Sequence, residues 1–255
     1  MARKNFKAGA LTAPLPPVMV TVGDMENSNI ITIGWTGILS TIPPRTYISV
    51  RPQRHSYKLL KATGEFVINL TTADQARTVD YVGIYTGAKV DKFRECGLTK
   101  AESKEVAAPT IKECPLALEC RVIETIPMGT HDVFIADIVS VSCDESILDE
   151  TGKIRFDKAG LLAYAHGEYY ALGEKVGKFG FSTKKDSPKK AQVKPAGGTP
   201  ARKKSPTLEE AKYIPVQNKA EKKDETSGES TDKKRPFYLD APRGKGKPHG
   251  KGKRR

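Results

Sequence analysis

Arg51, Arg54, His55 and Ser56 fall within six residues in the stretch RPQRHSYKLL, just where a helix should begin. Arginine offers an anion two coplanar N–H donors, and each charge-assisted bond is about twice as strong as a neutral one. Ser56 is a plausible N-cap for SYKLLKAT, Gly64 a plausible stop, and the positive end of a helix favours an anion at the same place. The pattern therefore predicts an anion-binding turn, against the plain alternative of a solvated basic loop. Upstream, NIITIGWTG sets the sole tryptophan, Trp35, in a run that otherwise reads as a buried strand, with Asn29, Thr32 and Thr36 along it and Ser40 beyond. Backbone N–H groups and hydroxyls there could meet the polar edge of a flat ligand lying by the indole. An ordinary core tryptophan with hydroxyls facing outward is the other reading.

Other chemistry finds little support. Neither G-x-G-x-x-G nor G-x-x-x-x-G-K-[ST] occurs, so no glycine-rich phosphate turn is present. Cys96, Cys114, Cys120 and Cys143 form no C-x-x-C pair and no zinc spacing, which predicts reduced thiols and no metal site. Scattered Ser, His and Asp residues lack a nucleophile elbow or triad context. Asn69-Leu70-Thr71 matches the glycosylation sequon but falls within an expected buried strand. No run approaches the roughly 18 apolar residues that cross a bilayer, and no export signal precedes the first prolines. The expected location is the cytoplasm.

The elements that must position these residues are mostly strands. From Pro17 to about Ser182, short β-rich runs alternate with turn signals: VMVTVGD, IITIGWT, TYISVR and EFVINL. TTADQARTVDYVGIYTG, ending at Gly87, and VDKFREC are helical candidates. LALECRVIETI and DVFIADIVSVS flank PMGTH and predict an antiparallel hairpin, with Val133, Ile135, Val139 and Val141 on one face and Asp137 interrupting the row. LLAYAHGEYYALG is expected as one further strand, on which alternation puts Tyr164 and Tyr170 on one face and Tyr169 on the other. Strands joined by hairpins and a few short helices argue for a mainly β antiparallel barrel or sandwich.

The blocks NIITIGWTGILSTIPPRTYISVRPQRHSYKLL, EFVINL, APTIKECPLALEC, GTHDVFIADIV and YYALGEKVGKFGFS together resemble the flavin reductase-like FMN-binding split-barrel family, its flavoredoxin branch most of all. The resemblance covers about Pro14 to Lys185. It implies a split barrel of Greek-key type that holds FMN non-covalently, as a homodimer with FMN near the subunit interface. The FMN phosphate would lie at Arg51, Arg54, His55 and Ser56. Thr32, Thr36 and Ser40 would meet the ring along its polar edge, with Trp35 beside it, Tyr164 walling the pocket and Asn29 among the cofactor-binding residues. His131, in the hairpin turn, would lie near the flavin and the nicotinamide or substrate pocket; an exposed turn histidine is the alternative.

The implied function is an oxidoreductase that uses NAD(P)H to reduce flavin or another acceptor through FMN. A flavoredoxin-like carrier, reduced by a protein donor such as a ferredoxin and without direct nicotinamide activity, is the rival. The formal net charge of +13 resides wholly in residues 184–255, which hold 22 Lys and Arg against 9 Asp and Glu. A neutral domain over 1–183 thus carries a Lys/Pro/Gly-rich tail that should be disordered, since low hydrophobicity with high charge cannot offset the entropy of ordering. Such a tail could contact nucleic acid through phosphates, which leaves a nucleic-acid-associated factor as a third reading, or an acidic partner, or serve solubility.

Overall fold

The computed structural model describes residues 3–183, and the basic tail with its expected disorder lies outside the described residues. Seven strands form one antiparallel sheet: β1 (Val18–Gly23), β2 (Ser28–Ile33), β3 (Thr36–Thr41), β4 (Pro44–Val50), β5 (Glu65–Asn69), β8 (Leu116–Pro127) and β9 (Asp132–Cys143). The short β6 (Lys100–Ala101) and β7 (Thr110–Ile111) pair with each other, as do β10 (Leu162–Ala165) and β11 (Glu168–Ala171). Three helices, α1 (His55–Thr63), α2 (Ala76–Ile84) and α3 (Lys92–Glu95), complete the main elements. No helix among the described residues is long and apolar enough to cross a membrane. The expected mainly β antiparallel fold with a few short helices is the one found.

Alternation along β1 explains the layering. Val18, Val20 and Val22 enter one core cluster, while Met19 enters a second. The first cluster also holds Ile31 and Ile33 of β2 with Ile48 and Val50 of β4, although the sheet order runs β2-β1-β5-β8-β9-β4-β3. Strands that far apart share a core only if the sheet curls round, so the interior is that of a barrel filled by side chains. Leu60 of α1 joins this cluster, and α2 and α3 cover the other side of β1 and β2 through Val79, Val82 and Phe93. Each fully buried Val, Ile or Phe contributes roughly 1.5–3 kcal/mol of transfer free energy. β1 is therefore buried along its whole length.

Several expectations need correction. The run from Asn29 to Thr36 is not one strand: β2 ends at Ile33 and β3 begins at Thr36, and these two strands form opposite ends of the sheet order. Gly34 and Trp35 carry the chain from one end to the other, and the Trp35 carbonyl accepts from the Ser49 N–H at 3.0 Å. On β9 the buried residues are Phe134 and Ala136, not the row Val133, Ile135, Val139 and Val141, which is half-buried or exposed. Both faces of this strand are apolar, so period-2 alternation could not choose between them; the phenyl ring fills the interior. LLAYAHGEYYALG is a hairpin rather than a strand, turning at His166 and Gly167, both with positive φ (47° and 97°). Positive φ at both central residues is the twist-matched two-residue hairpin turn. Finally, α1 is capped by Arg54 rather than Ser56, while Gly64 ends it in the left-handed conformation as expected.

The 102–109 segment is held down by carboxylates. Glu119 is buried, 1% exposed, and accepts from the Lys104 and Glu105 N–H groups at 3.1 and 2.6 Å. Glu65 accepts from the Ala107 N–H at 2.9 Å and pairs with Arg121 at 3.2 Å. Asn69 of the sequon is buried, donating to the Met19 carbonyl and accepting from the Ile111 N–H, so its side chain belongs to the core. Leaving a buried donor unpaired costs about 1–3 kcal/mol. Glu119→Ala, which orphans two, is expected to lower the unfolding free energy by roughly 2–4 kcal/mol in urea titrations, with Glu119→Gln intermediate; a loss below 0.5 kcal/mol would show that the clamp contributes nothing.

Candidate functional site

The filled interior leaves the barrel's rim as the place to bind a ligand, and α1 starts there. Arg54 and the Arg51 carbonyl close a tight turn, the Arg54 N–H donating to it at 3.0 Å, so both arginine side chains emerge into solvent beside the first helical turn. Neither forms an ion pair among the described residues. Ser56 is buried, and its Oγ accepts from Asn29 Nδ2 at 2.7 Å, which ties the end strand β2 to α1. Asn29 is itself buried against Gly87: a Cβ there would lie 2.1 Å from Asn29 Oδ1. Glycine at 87 is required by this close approach.

Around this bond lies a cavity of about 110 Å³, lined by Asn29, Arg54, His55, Ser56, Gly87 and Lys92 among others. Lys92 carried no signal in the sequence beyond its place in a short helix. Its side chain is buried, and Nζ donates to the Ile30 carbonyl at 2.7 Å and the Val82 carbonyl at 2.8 Å. Burial, and then the charge of Arg54, lower its pKa to about 8, with Cys96 opposing weakly. No carboxylate pairs with it among the described residues. A buried cation with two exposed arginines nearby is an arrangement that an anion would stabilise.

The flat wall is present as well. Trp35 is 43% exposed, and His131 packs on it with ring centroids 4.6 Å apart and planes tilted by 41°. The His131 pKa is lowered by partial burial and by the charges of Arg51 and Arg54, which places the aromatic pair within reach of the cationic turn. The hairpin that carries His131 is held to α1 by Tyr57, whose hydroxyl donates to Asp132 Oδ2 at 2.5 Å. Tyr57 is a positioning contact that the sequence did not reveal, because the two residues are 75 positions apart.

The remaining expected residues go elsewhere. Thr32 Oγ1 donates to the Val79 carbonyl at 2.5 Å and so fastens α2. Thr36 Oγ1 donates to the Tyr47 carbonyl at 2.6 Å within the β3–β4 hairpin. Ser40 pairs with Arg45 near the tip of that hairpin, away from α1. Tyr164 faces Tyr169, with centroids 5.3 Å apart, and Tyr169 donates to Asp80 of α2. None of these four lines the cavity at Ser56. Asn29, Arg51, Arg54, His55, Ser56, Trp35 and His131 are the ones the fold gathers at and beside this cavity.

Residues 11–173 match the family model described as flavin reductase like domain. Among solved structures, the chain is similar to a flavoredoxin of Desulfovibrio vulgaris (Miyazaki F), with 33% identity and a TM-score of 0.67 over 72% of this chain and 100% of that one. Among curated proteins, it is 33% identical over 143 residues to an uncharacterized protein of Archaeoglobus fulgidus, covering 56% of this chain and 80% of that relative. It is also 24% identical over 148 residues to the reductase component of an FADH(2)-dependent resorcinol hydroxylase from Rhizobium sp., covering 56% of this chain and 79% of that relative.

Two titrations check the electrostatics. The His131 imidazole, followed by NMR, should titrate below 6.5 and move upward in Arg54→Ala, since removing a nearby positive charge favours the protonated ring; an unmoved midpoint would place Arg54 out of reach. Gly87→Ala should displace Asn29 and break its bond to Ser56, lowering the melting temperature by several degrees; wild-type stability would show that the close approach relaxes freely.

Proposed function

The chain belongs to the flavin reductase like domain family, and from that premise we propose that it is an FMN-dependent oxidoreductase passing hydride from NAD(P)H to a flavin or another acceptor. The observation that carries this reading is the cationic cluster of Arg51, Arg54 and Lys92, without ion-pair partners among the described residues, beside the exposed Trp35–His131 wall. The residues fit FMN. The cavity at Ser56 has room for a phosphate and not for a three-ring system, and the indole offers the ring a flat neighbour outside it.

In this reading Arg51, Arg54, His55 and Lys92 neutralise the FMN phosphate, and the first turn of α1 offers N–H donors to it. Asn29 keeps that turn against β2 through Ser56. Bound FMN supplies the hydride chemistry, which explains a site without a nucleophile–base pair. Trp35 limits the tilt of the ring, and His131, whose pKa is lowered by partial burial and by the two arginines, offers a hydrogen bond to a substrate or nicotinamide. A homodimer completes the proposal. The exposed apolar side chains Ile38, Leu39 and Ile42 on and just after β3 are the surface a second copy would cover.

A flavoredoxin-like carrier, reduced by a protein donor, is the second reading, supported by the full-length similarity to the Desulfovibrio flavoredoxin. The nucleic-acid reading rests on the tail, outside the described residues. Anaerobic mixing with NADH or NADPH is expected to bleach the bound flavin; bleaching by reduced ferredoxin alone would replace the enzyme with the carrier.

Arg51→Ala and Arg54→Ala together should weaken FMN by about 100-fold and riboflavin by less than threefold, each charge-assisted bond being worth roughly 1.5–3 kcal/mol. Equal losses would refute the phosphate assignment. Lys92 carries its proton below about 8 and loses it above. FMN affinity should therefore fall as the pH rises through about 8, Lys92→Met should flatten that limb, and riboflavin should show no such limb.

A further inference from the structure

Past β11 the chain runs without regular secondary structure from Leu172 to Lys178 and then closes one 3₁₀ turn at Phe181–Thr183. Its start is fastened: the Leu172 N–H donates to the Leu161 carbonyl at 3.2 Å, and Lys175 Nζ pairs with Asp157 at 3.2 Å, beside the Arg155–Asp157 pair. Its end is folded on itself. The Phe181 N–H donates to the Lys178 carbonyl at 2.9 Å, Thr183 Oγ1 donates to the Gly180 carbonyl at 2.7 Å, and Gly180 has a φ of 80°. The Phe181 ring lies on the backbone of Gly177, where a Cβ would stand 2.7 Å from it. This shaped turn leaves Phe179 fully exposed and Val176 94% exposed, with Leu172 and Phe181 about half-exposed. Phe156, next to Asp157 in the chain, is half-exposed as well.

We propose that residues 172–183 are the apolar part of a membrane-surface anchor, and that it docks into the headgroup–acyl boundary of an anionic lipid bilayer. Large apolar side chains exposed together mark an interaction site rather than ordinary surface. Lys178 is exposed beside Phe179 and in no ion pair among the described residues. Glu174 is the one acid in the segment, and the sequence runs straight on into residues 184–255, which hold 22 Lys and Arg against 9 Asp and Glu. A basic stretch is drawn to anionic headgroups, each Lys or Arg adding to the attraction, and a few apolar side chains then enter the boundary below. Either signal alone binds weakly; the two together hold. Charge and side-chain type also decide among occupants. A second copy would bring the same excess of positive charge to the contact and be repelled. Nucleic acid would suit the lysines, but Leu172 and Val176 have no aromatic face on which a base could stack. Hydrocarbon accepts aliphatic and aromatic side chains alike. Such an anchor lies on the bilayer and needs no spanning helix.

Co-sedimentation of the full chain with lipid vesicles tests this. Wild-type protein should pellet with vesicles of phosphatidylcholine mixed with phosphatidylglycerol and stay in solution with phosphatidylcholine alone. Raising the salt to about 0.5 M should weaken the binding. Phe179→Ser should lower the partition coefficient on the mixed vesicles by about tenfold and Val176→Ser by about threefold. Neither should change the melting temperature, because neither side chain is packed. A wild type that stays out of the mixed-vesicle pellet overturns the inference. Equal pelleting of wild type and Phe179→Ser also overturns it, since the charge of the tail alone would then be at work. So does a dimer lost in Phe179→Ser with vesicle binding unchanged, which gives the segment to a second copy, or Phe179-dependent binding of single-stranded RNA with none to vesicles, which gives it to nucleic acid. The flavin reading stands whichever way the vesicles answer.

Discussion

Arg54 and Lys92 place two positive charges on one small cavity, Arg51 stands in the turn beside it, and no carboxylate pairs with the three among the described residues. Buried charge is costly when unpaired, and of the three only Lys92 is buried, so the fold must hold its ammonium by other means. It does so with backbone carbonyls, and it holds the arginines with a tight turn at Arg51–Arg54 and the buried hydrogen bond between Asn29 and Ser56. That last bond joins an end strand to the helix that opens the rim. If Asn29 loses Ser56, the turn bearing both arginines loses its buried anchor.

The proposed binding place is the rim, because the interior is already full. Phe66, Phe134 and the valines and isoleucines of β1, β2 and β4 close the barrel with side chains. What remains for a ligand is the edge where β2 gives way to β3. Gly34 and Trp35 make that passage, and the indole stays partly outside because its flanking strands diverge to opposite ends of the sheet. His131 reaches the indole from the β8–β9 hairpin, steadied through Asp132 by Tyr57. Three segments distant in sequence thus meet at one wall, which suits a flat cofactor bound by its polar ends, and suits chemistry carried by the cofactor rather than by side chains.

Charge couples this wall to the cavity. The arginines that would receive a phosphate also lower the His131 pKa, and Arg54 lowers that of Lys92. A bound dianion would reverse both effects, so ligand binding and protonation are linked at the site. The Lys92 ammonium donates to the Ile30 and Val82 carbonyls, which favour its charged form against the cost of burial.

The sequence by itself determined the strand-rich body, the α1 helix stopping at Gly64, the β8–β9 hairpin, and the turn Arg51 to Ser56, because each is fixed by neighbours within about ten residues: period-2 patterning, turn residues, charge beside a helix start. Only the tertiary structure decided which face of β9 is inside, where both faces are apolar and the volume of Phe134 settles the matter. It alone separated the hydroxyls of Thr32 and Thr36, bonded to carbonyls at Val79 and Tyr47, from that of Ser56, which lines the cavity. It alone brought Lys92, Gly87 and Asn29 together, since contacts made across tens of residues leave no local period to read.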